Sequence, residues 1–129
     1  MRQFAKFAGI ALLCVGIIAI ADLFSISRKE QQLSRIVKSI GGRTGSIPVW
    51  PFGTEYRITL TSVPNQEQMR KLTVANRMRG WVGIAFEDCN LSDGGRSELL
   101  TQLPECQLYT VAENRLVPLQ FPAPRTDEP

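Results

Sequence analysis

A pattern of five positions recurs in the second half of the chain, and it constrains the fold more than any other feature. The positions hold Trp81, Ile84, Phe86, Cys89 and Leu91 in one copy and Cys106, Tyr109, Val111, Asn114 and Leu116 in the other, 25 residues later. In each copy the second and third positions are two residues apart, which is the period of a half-buried β-strand. The recurrence therefore predicts that the side chains at these two positions face one shared core in both copies.

The residues after each strand predict a turn and a helix. Asp93 follows the first copy and is placed to cap a helix that carries Leu99 and Leu103 on one face. Pro104 should end that helix, because proline lacks the N–H that the next turn would need.

A looser copy of the pattern lies at 55–65. Ile58 and Leu60 stand at its paired apolar positions, 26 residues before their counterparts in the next copy. Terminal copies of a repeat commonly depart from the shared pattern. The segment 66–79 is then expected to be the helix of this copy, with its basic residues facing solvent.

The N-terminal segment is apolar enough to span a membrane. Phe7 to Ala21 carries no charge, and with Asp22 tolerated near its end the run reaches the length of one transmembrane helix. A signal peptide cleaved after Ala21 is the alternative, because Arg2 and Lys6 precede the run. The basic residues that follow the run favour a cytoplasmic domain, whereas the short basic N-terminus resembles a signal anchor and favours the outside.

A second helix is predicted from Ser27 to Ile40. Its apolar residues share one helical face, Ser27 and Glu30 have the spacing of a capping box, and Gly41-Gly42 should end it. We expect this face to pack on the repeat units and shield their first open edge, since the end of a solenoid cannot stay apolar. Binding to a membrane surface is the alternative.

The segment from Gly41 to Gly53 is predicted to be a turn and a short extended piece, because its prolines exclude a central strand. Trp50 and Phe52 stand out in it. They are expected to cover the core beneath the cap, and the alternative is an exposed aromatic anchor for a partner.

The copies fit the leucine-rich-repeat template L-x-x-L-x-L-x-x-N/C-x-L. With the apolar start, Ile40-Gly41-Gly42, Leu91-Ser92-Asp93 and Leu103-Pro104, the chain resembles bacterial membrane-anchored proteins of the leucine-rich-repeat type. The resemblance implies an α/β fold in which a solenoid of about three strand–turn–helix units forms a binding scaffold. It also implies that Cys89 and Asn114 turn inward to pair with backbone groups. Arg96 departs from it, because such repeats place an apolar helix residue there.

These patterns divide the chain into four parts. Residues 1–26 form the transmembrane anchor or signal peptide, and 27–54 form the amphipathic helix and capping segment. Residues 55–117 form the leucine-rich-repeat-like domain, and 118–129 form a proline-rich tail that is expected to be disordered.

Composition argues against catalysis. The chain has no histidine, so the commonest general base and zinc ligand is missing, and Cys89 is the one conceivable nucleophile. We predict no enzyme activity, no cofactor, no metal and three free thiols. Lys and Arg dominate 28–79 while Asp and Glu dominate 81–129, which suits anionic lipid, an acidic partner or neutralisation between neighbouring molecules. No nucleic-acid motif accompanies the basic residues.

The sequence therefore predicts a membrane-anchored module that binds or scaffolds another protein. Its contact surface should consist of the residues that alternate outward on the predicted strands, namely Thr59, Thr61, Ala85, Glu87, Leu108 and Thr110. The alternative is a structural membrane protein whose repeat units associate edge to edge with further copies of the chain, since about three repeats are the minimum for a stable array.

Overall fold

A single long helix opens the structure. The computed structural model describes residues 2–121 of the chain, and its first element, α1, runs from Arg2 to Ser39. This helix is long and apolar enough to cross a membrane. Large apolar side chains are exposed along it from Phe4 to Phe24, whereas Leu33 and Val37 near its end are fully buried. One helix thus joins an exposed apolar half to a half that packs in the core.

The predicted helix start at Ser27 is wrong, because Ser27 lies inside α1. Glu30, expected to complete a capping box there, instead accepts a hydrogen bond of 2.7 Å from the Thr54 hydroxyl. The predicted end at Gly41-Gly42 is confirmed: the Gly42 N–H donates to the Val37 carbonyl at 2.9 Å, and Gly41 adopts a φ of 84°. Glycine takes this left-handed conformation without steric cost.

Five strands form one mixed sheet in chain order. Strands β1 (Arg43–Val49) and β2 (Gly53–Leu60) are antiparallel, β3 (Gly80–Phe86) and β4 (Gln107–Ala112) each run parallel to the strand before them, and β5 (Arg115–Pro118) is antiparallel to β4. The edge position of β1 accounts for Pro48, which cannot donate a ladder hydrogen bond. The expectation that this proline-containing piece is not a central strand is confirmed.

Two short helices make the parallel crossovers. Helix α2 (Gln66–Leu72) begins with a capping box between Asn65 and Gln68 and continues into a 3₁₀ turn, Thr73–Arg77. Helix α3 (Asp93–Gln102) begins at Ser92, whose hydroxyl accepts from the Gly95 N–H at 3.1 Å. The capping residue is therefore Ser92, next to the expected Asp93. The helix ends before Pro104, as predicted.

All three helices pack on the same face of the sheet, and the core lies between them and the strands. The fully buried side chains there include the expected Ile58, Leu60, Ile84 and Phe86. From the helices, Leu33, Val37, Leu72 and Leu99 meet them. The side chains of the other sheet face are more exposed, and the alternating burial along β2 and β3 reflects this difference.

The α/β class is confirmed, but the predicted solenoid is wrong. The strand–turn–helix copies are present as two parallel crossovers, β2 to β3 and β3 to β4. The outer strands are antiparallel, which ends the parallel succession on both sides, and β1 rather than a capping helix occupies the first edge. The sheet is thus a short mixed sheet with helices on one face.

The predicted pairing of the last copy is also wrong, by one residue. Ile84 aligns with Leu108 and Ala85 with Tyr109, so Leu108 is buried while Tyr109 lies on the opposite face. Successive strand residues face opposite sides, so a shift of one residue exchanges the inner and outer sets. Asn114 lies in the tight turn between β4 and β5 with a φ of 63°, far from its expected place in a ladder.

The predicted tail begins inside the described part of the chain. Pro118 ends β5, and Leu119 is buried with its N–H donating to the Leu108 carbonyl at 2.8 Å. The remainder of the tail, 122–129, lies outside the described residues.

Candidate functional site

The sheet face opposite the helices is the candidate site, and we call it the open face. Strand pairing places its side chains in rows across the sheet. One row holds Ile47, Glu55 and Trp81, the next Gly45, Arg57, Gly83 and Gln107, and the third Arg43, Thr59, Ala85 and Tyr109. No helix among residues 2–121 packs on this face.

A shallow depression of about 560 Å³ runs over the middle of the open face. Its floor is low because β3 contributes Gly83 and Ala85, which have little or no side chain. The ring of Tyr109 lies beside Gly83, and Trp81, which is 59% exposed, stands at one end. Leu116 adds a further apolar wall. The depression is therefore flanked by aromatic and apolar groups around a flat backbone floor.

The charged groups of the open face are paired locally. Arg57 donates from Nε and Nη2 to Glu55 Oε1 at 3.0 and 2.9 Å. The Tyr109 hydroxyl donates to Gln107 Oε1 at 2.8 Å. Arg43 and Glu87 form an ion pair of 3.0 Å across the far end, which joins the basic and acidic parts of the sequence. The face thus carries polar groups around its apolar centre with little net charge.

The six predicted contact residues do not form one surface. Thr59 and Ala85 line the depression, and Glu87 lies just beyond the end of β3. Thr61 is exposed in the bend that follows β2. Leu108 is only 4% exposed and belongs to the core, and Thr110 aligns with Phe86 on the core side. The last two placements are wrong because the register of β4 differs by one residue from the repeat.

Four residues of the open face were missed by the sequence pattern: Arg57, Trp81, Gln107 and Tyr109. The repeat template placed Trp81 and Tyr109 in the core. Strand period was the signal that could have placed Trp81, because Val82, Ile84 and Phe86 are buried and an odd-numbered neighbour must face away. For Tyr109, Leu108 offered an apolar residue of the opposite parity.

The thiols of the sheet domain are in environments that disfavour the thiolate. Burial and the neighbouring Glu105 carboxylate raise the pKa of the Cys106 thiol to about 11. Burial and Asp88 also raise the pKa of Cys89. Cys89 Sγ lies 3.3 Å from the Glu87 carbonyl and 3.7 Å from that of Leu60, so its expected contact with backbone groups is confirmed. An activated nucleophile has the opposite shift.

Metal-binding side chains are dispersed in the described part of the chain. Residues 2–121 contain no group of three or more His, Cys, Asp and Glu side chains placed to hold an ion. All three cysteines are free, with Cys14 exposed on α1.

Comparison with protein-family models, with curated proteins and with solved structures finds no match to this chain.

Proposed function

We propose that this chain is a membrane-anchored module that binds another protein through the open face of its sheet. The observation that carries the proposal is the one-sided packing: helices cover one face, while Trp81 and the low floor at Gly83 and Ala85 remain accessible on the other. In this proposal the exposed apolar half of α1 is the anchor.

The chemistry of the open face suits a protein partner. Aromatic side chains are enriched at protein interfaces, and residues that dominate binding energy are often Trp, Tyr and Arg next to desolvated pockets. Trp81, Tyr109 and Arg57 surround the depression in this way. The pairing of Arg57 with Glu55 leaves no strip of free positive charge of the kind that holds a nucleic-acid backbone.

The proposed role is non-catalytic. The raised pKa values of Cys89 and Cys106 keep both thiols protonated near neutral pH, which opposes nucleophilic chemistry. The open face presents hydroxyl, amide and ion-paired groups without a base beside a nucleophile.

Site-specific photo-crosslinking tests the proposal. The full chain, in native membranes, carries a photo-reactive amino acid in place of Thr59, whose side chain lines the depression. We expect a discrete crosslinked protein, and we expect Trp81→Ala and Ala85→Arg to weaken its capture about tenfold, since interface anchors commonly contribute more than about 1 kcal/mol. Ala85→Arg fills the depression, whereas Trp81→Ala removes one of its walls.

Trp50→Ala is the matched control, because Trp50 is a comparably exposed aromatic residue in the β1–β2 turn rather than on the open face. Equal capture by all of these variants would contradict the proposal, because crosslinking would then be independent of the depression. Helical content measured by circular dichroism verifies that each variant is folded.

A second candidate function is self-association through the sheet edges. The observation in its favour is that β1 and β5 end the sheet, and all their residues are exposed. Unpaired edge strands can pair with another chain.

A further inference from the structure

The turn between β1 and β2 presents two large aromatic side chains to solvent. Trp50 is 53% and Phe52 is 74% exposed, on either side of Pro51. The expectation that they cover the core is therefore wrong, and the alternative of an exposed anchor agrees with their position. We call Trp50, Pro51 and Phe52 the aromatic turn.

One arginine holds the aromatic turn beside α1. Arg79 Nη1 donates to Asp22 Oδ2 at 2.6 Å and to the Pro51 carbonyl at 3.4 Å, and Arg79 Nη2 donates to Asp22 Oδ1 at 3.0 Å. The two-pronged pairing fixes the guanidinium on the carboxylate. Because the same nitrogen contacts Pro51, the aromatic turn lies at the level of Asp22 along the helix.

Asp22 marks the end of the apolar half of α1. From Gln3 to Ala21 the helix is exposed except at Ala19, which is half-buried. At 1.5 Å per residue this stretch is about 28 Å long, which matches the roughly 30 Å hydrocarbon core of a bilayer. Leu23 and Phe24 are exposed for one further turn. If this stretch spans the bilayer, Asp22 to Phe24 fall at the boundary with the headgroups.

The path of the chain brings the aromatic turn to this boundary. Beyond Asp22, α1 packs along the sheet and ends at Gly41, the end farthest from the apolar half. Strand β1 then runs back and reaches the aromatic turn after Val49, from which β2 departs again. The aromatic turn is thus the tip of the sheet closest to the apolar helix, and Arg28 and Lys29 lie about two turns of α1 beyond Asp22.

We propose that Trp50 and Phe52 insert into the headgroup region of the same bilayer that α1 spans. This inference rests on the membrane anchoring in the proposed function. Tryptophan and other amphipathic aromatic residues prefer the boundary between hydrocarbon and water, where an apolar ring and a polar edge are both accommodated. The charges of Arg28 and Lys29 suit the phosphates at that level.

Insertion of the aromatic turn gives the domain a second attachment to the bilayer besides α1. A single helix leaves its domain free to tilt, whereas flanking anchors at the interface restrict tilt and rotation. The open face and the aromatic turn are at different places on the sheet, because Trp81 aligns with Glu55, a row farther from the turn than Val49 and Gly53. The open face therefore stays accessible when the aromatic turn is inserted.

The two tryptophans of the chain allow a direct test. In the full chain, Trp81→Phe leaves Trp50 as the sole tryptophan, and Trp50→Phe leaves Trp81 as the matched control. Both variants are reconstituted into vesicles of phosphatidylcholine and phosphatidylglycerol, with or without phosphatidylcholine brominated near the headgroup end of its acyl chains. The triple variant Trp50→Phe, Trp81→Phe, Phe52→Trp probes the neighbouring position independently.

The emission of Trp50, and of tryptophan at position 52, is expected to shift to the blue in vesicles and to lose most of its intensity with brominated lipid. Trp81 should keep its intensity with brominated lipid and should be quenched by iodide from the water side. Quenching of Trp50 by iodide but not by brominated lipid would overturn the inference. Equal lipid quenching of Trp50 and Trp81 would also overturn it, because the open face would then lie on the bilayer.

Flotation of the vesicles after an alkaline wash separates this inference from the anchoring on which it rests. A chain that floats while Trp50 remains exposed to iodide is anchored by α1 without insertion of the aromatic turn, which refutes the inference alone. A chain released by the wash is not anchored by α1, which refutes both.

Discussion

Thr54 is the one polar residue in the described part of the chain that is buried, at 3% exposure. Its hydroxyl donates to the Glu30 carboxylate at 2.7 Å, and its N–H donates to the Arg79 carbonyl at 3.0 Å. The side chain thus connects β2 to α1, and the backbone connects β2 to the residue before β3. A buried donor with a charged acceptor contributes more than an ordinary hydrogen bond, because loss of the donor leaves a partly desolvated charge unpaired.

Thr54→Val should lower the free energy of unfolding by about 1–2 kcal/mol, since valine keeps the shape of threonine and removes the hydrogen bond. Glu30→Gln should have a smaller effect, because the amide oxygen still accepts the hydrogen bond. Urea unfolding of the detergent-solubilised chain, followed by circular dichroism, measures both. A Thr54→Val protein as stable as the parent would show that the contact contributes nothing.

At the scale of elements, apolar periodicity was sufficient to predict β2, β3 and the two crossover helices. Periodicity within one strand specifies which residues share a face, and Ile58, Leu60, Ile84 and Phe86 are buried accordingly. Periodicity between strands is weaker evidence, because the crossover from Ile84 to its partner Leu108 spans 24 residues and the one before it, from Ile58 to Ile84, spans 26. An assumed constant repeat length therefore gave the wrong face for β4.

The antiparallel edges were outside the reach of the repeat pattern. Strand β1 contains Pro48 and Gly45, and all its side chains are exposed, so it has no alternation of apolar residues that could identify it. Its pairing depends on the backbone of β2. The break predicted at Ser27 was wrong for a related reason: a capping pattern permits a helix to begin, but the preceding turns of α1 already supply the hydrogen bonds that a cap would replace.

Two glycines control the approach of β2 to β3 at the start of the parallel pair. Gly53 has a φ of 114° and Gly80 has a φ of 104°, in the region that L-residues with a side chain rarely adopt. A Cβ atom at Gly80 would collide with the backbone carbonyl of Thr54, and one at Gly53 would collide with that of Arg79. The crossing thus requires glycine on both strands.

Gly80→Ala should destabilise the chain by more than about 2 kcal/mol, because alanine adds both backbone strain and a collision that no side-chain movement relieves. Gly45→Ala is the control, since a Cβ atom there meets nothing within 4 Å and the position is exposed. Its effect should stay within about 0.5 kcal/mol. Thermal unfolding compares the two proteins, and equal melting temperatures would contradict the proposed role of the crossing.

At the scale of the molecule, the site was harder to predict than the fold. Thr59 and Ala85 were placed on the open face by strand alternation alone. Trp81 and Tyr109 were not, because large apolar residues are ordinarily assigned to the core, and these two belong to the surface without helices. Which face of a sheet the helices cover is a property of all the crossovers together, and no single strand contains it.

The two edges of the sheet bear on self-association. Strand β1 contains Pro48 and Arg43, and β5 has four residues and includes Arg115 and Pro118. Short length, proline and charge are the features by which natural sheets avoid pairing edge to edge. These features favour the binding function over the structural one.

The detergent-solubilised chain is therefore expected to be monomeric at micromolar concentration. Light scattering coupled to size-exclusion chromatography, with the detergent mass subtracted, measures its molar mass against the 14.4 kDa of one chain. A dimer or larger assembly that Pro48→Lys or Pro118→Lys dissociates would instead favour association through an edge.

The uninterrupted course of α1 has a mechanical consequence. No loop separates its apolar half from Leu33 and Val37, which are locked into the core. Helical hydrogen bonds continue through every residue between them, so the helix acts as a shaft rather than a tether. A rotation or axial displacement at the apolar end must turn or lift the sheet with it, and the open face then changes its direction in step with the helix.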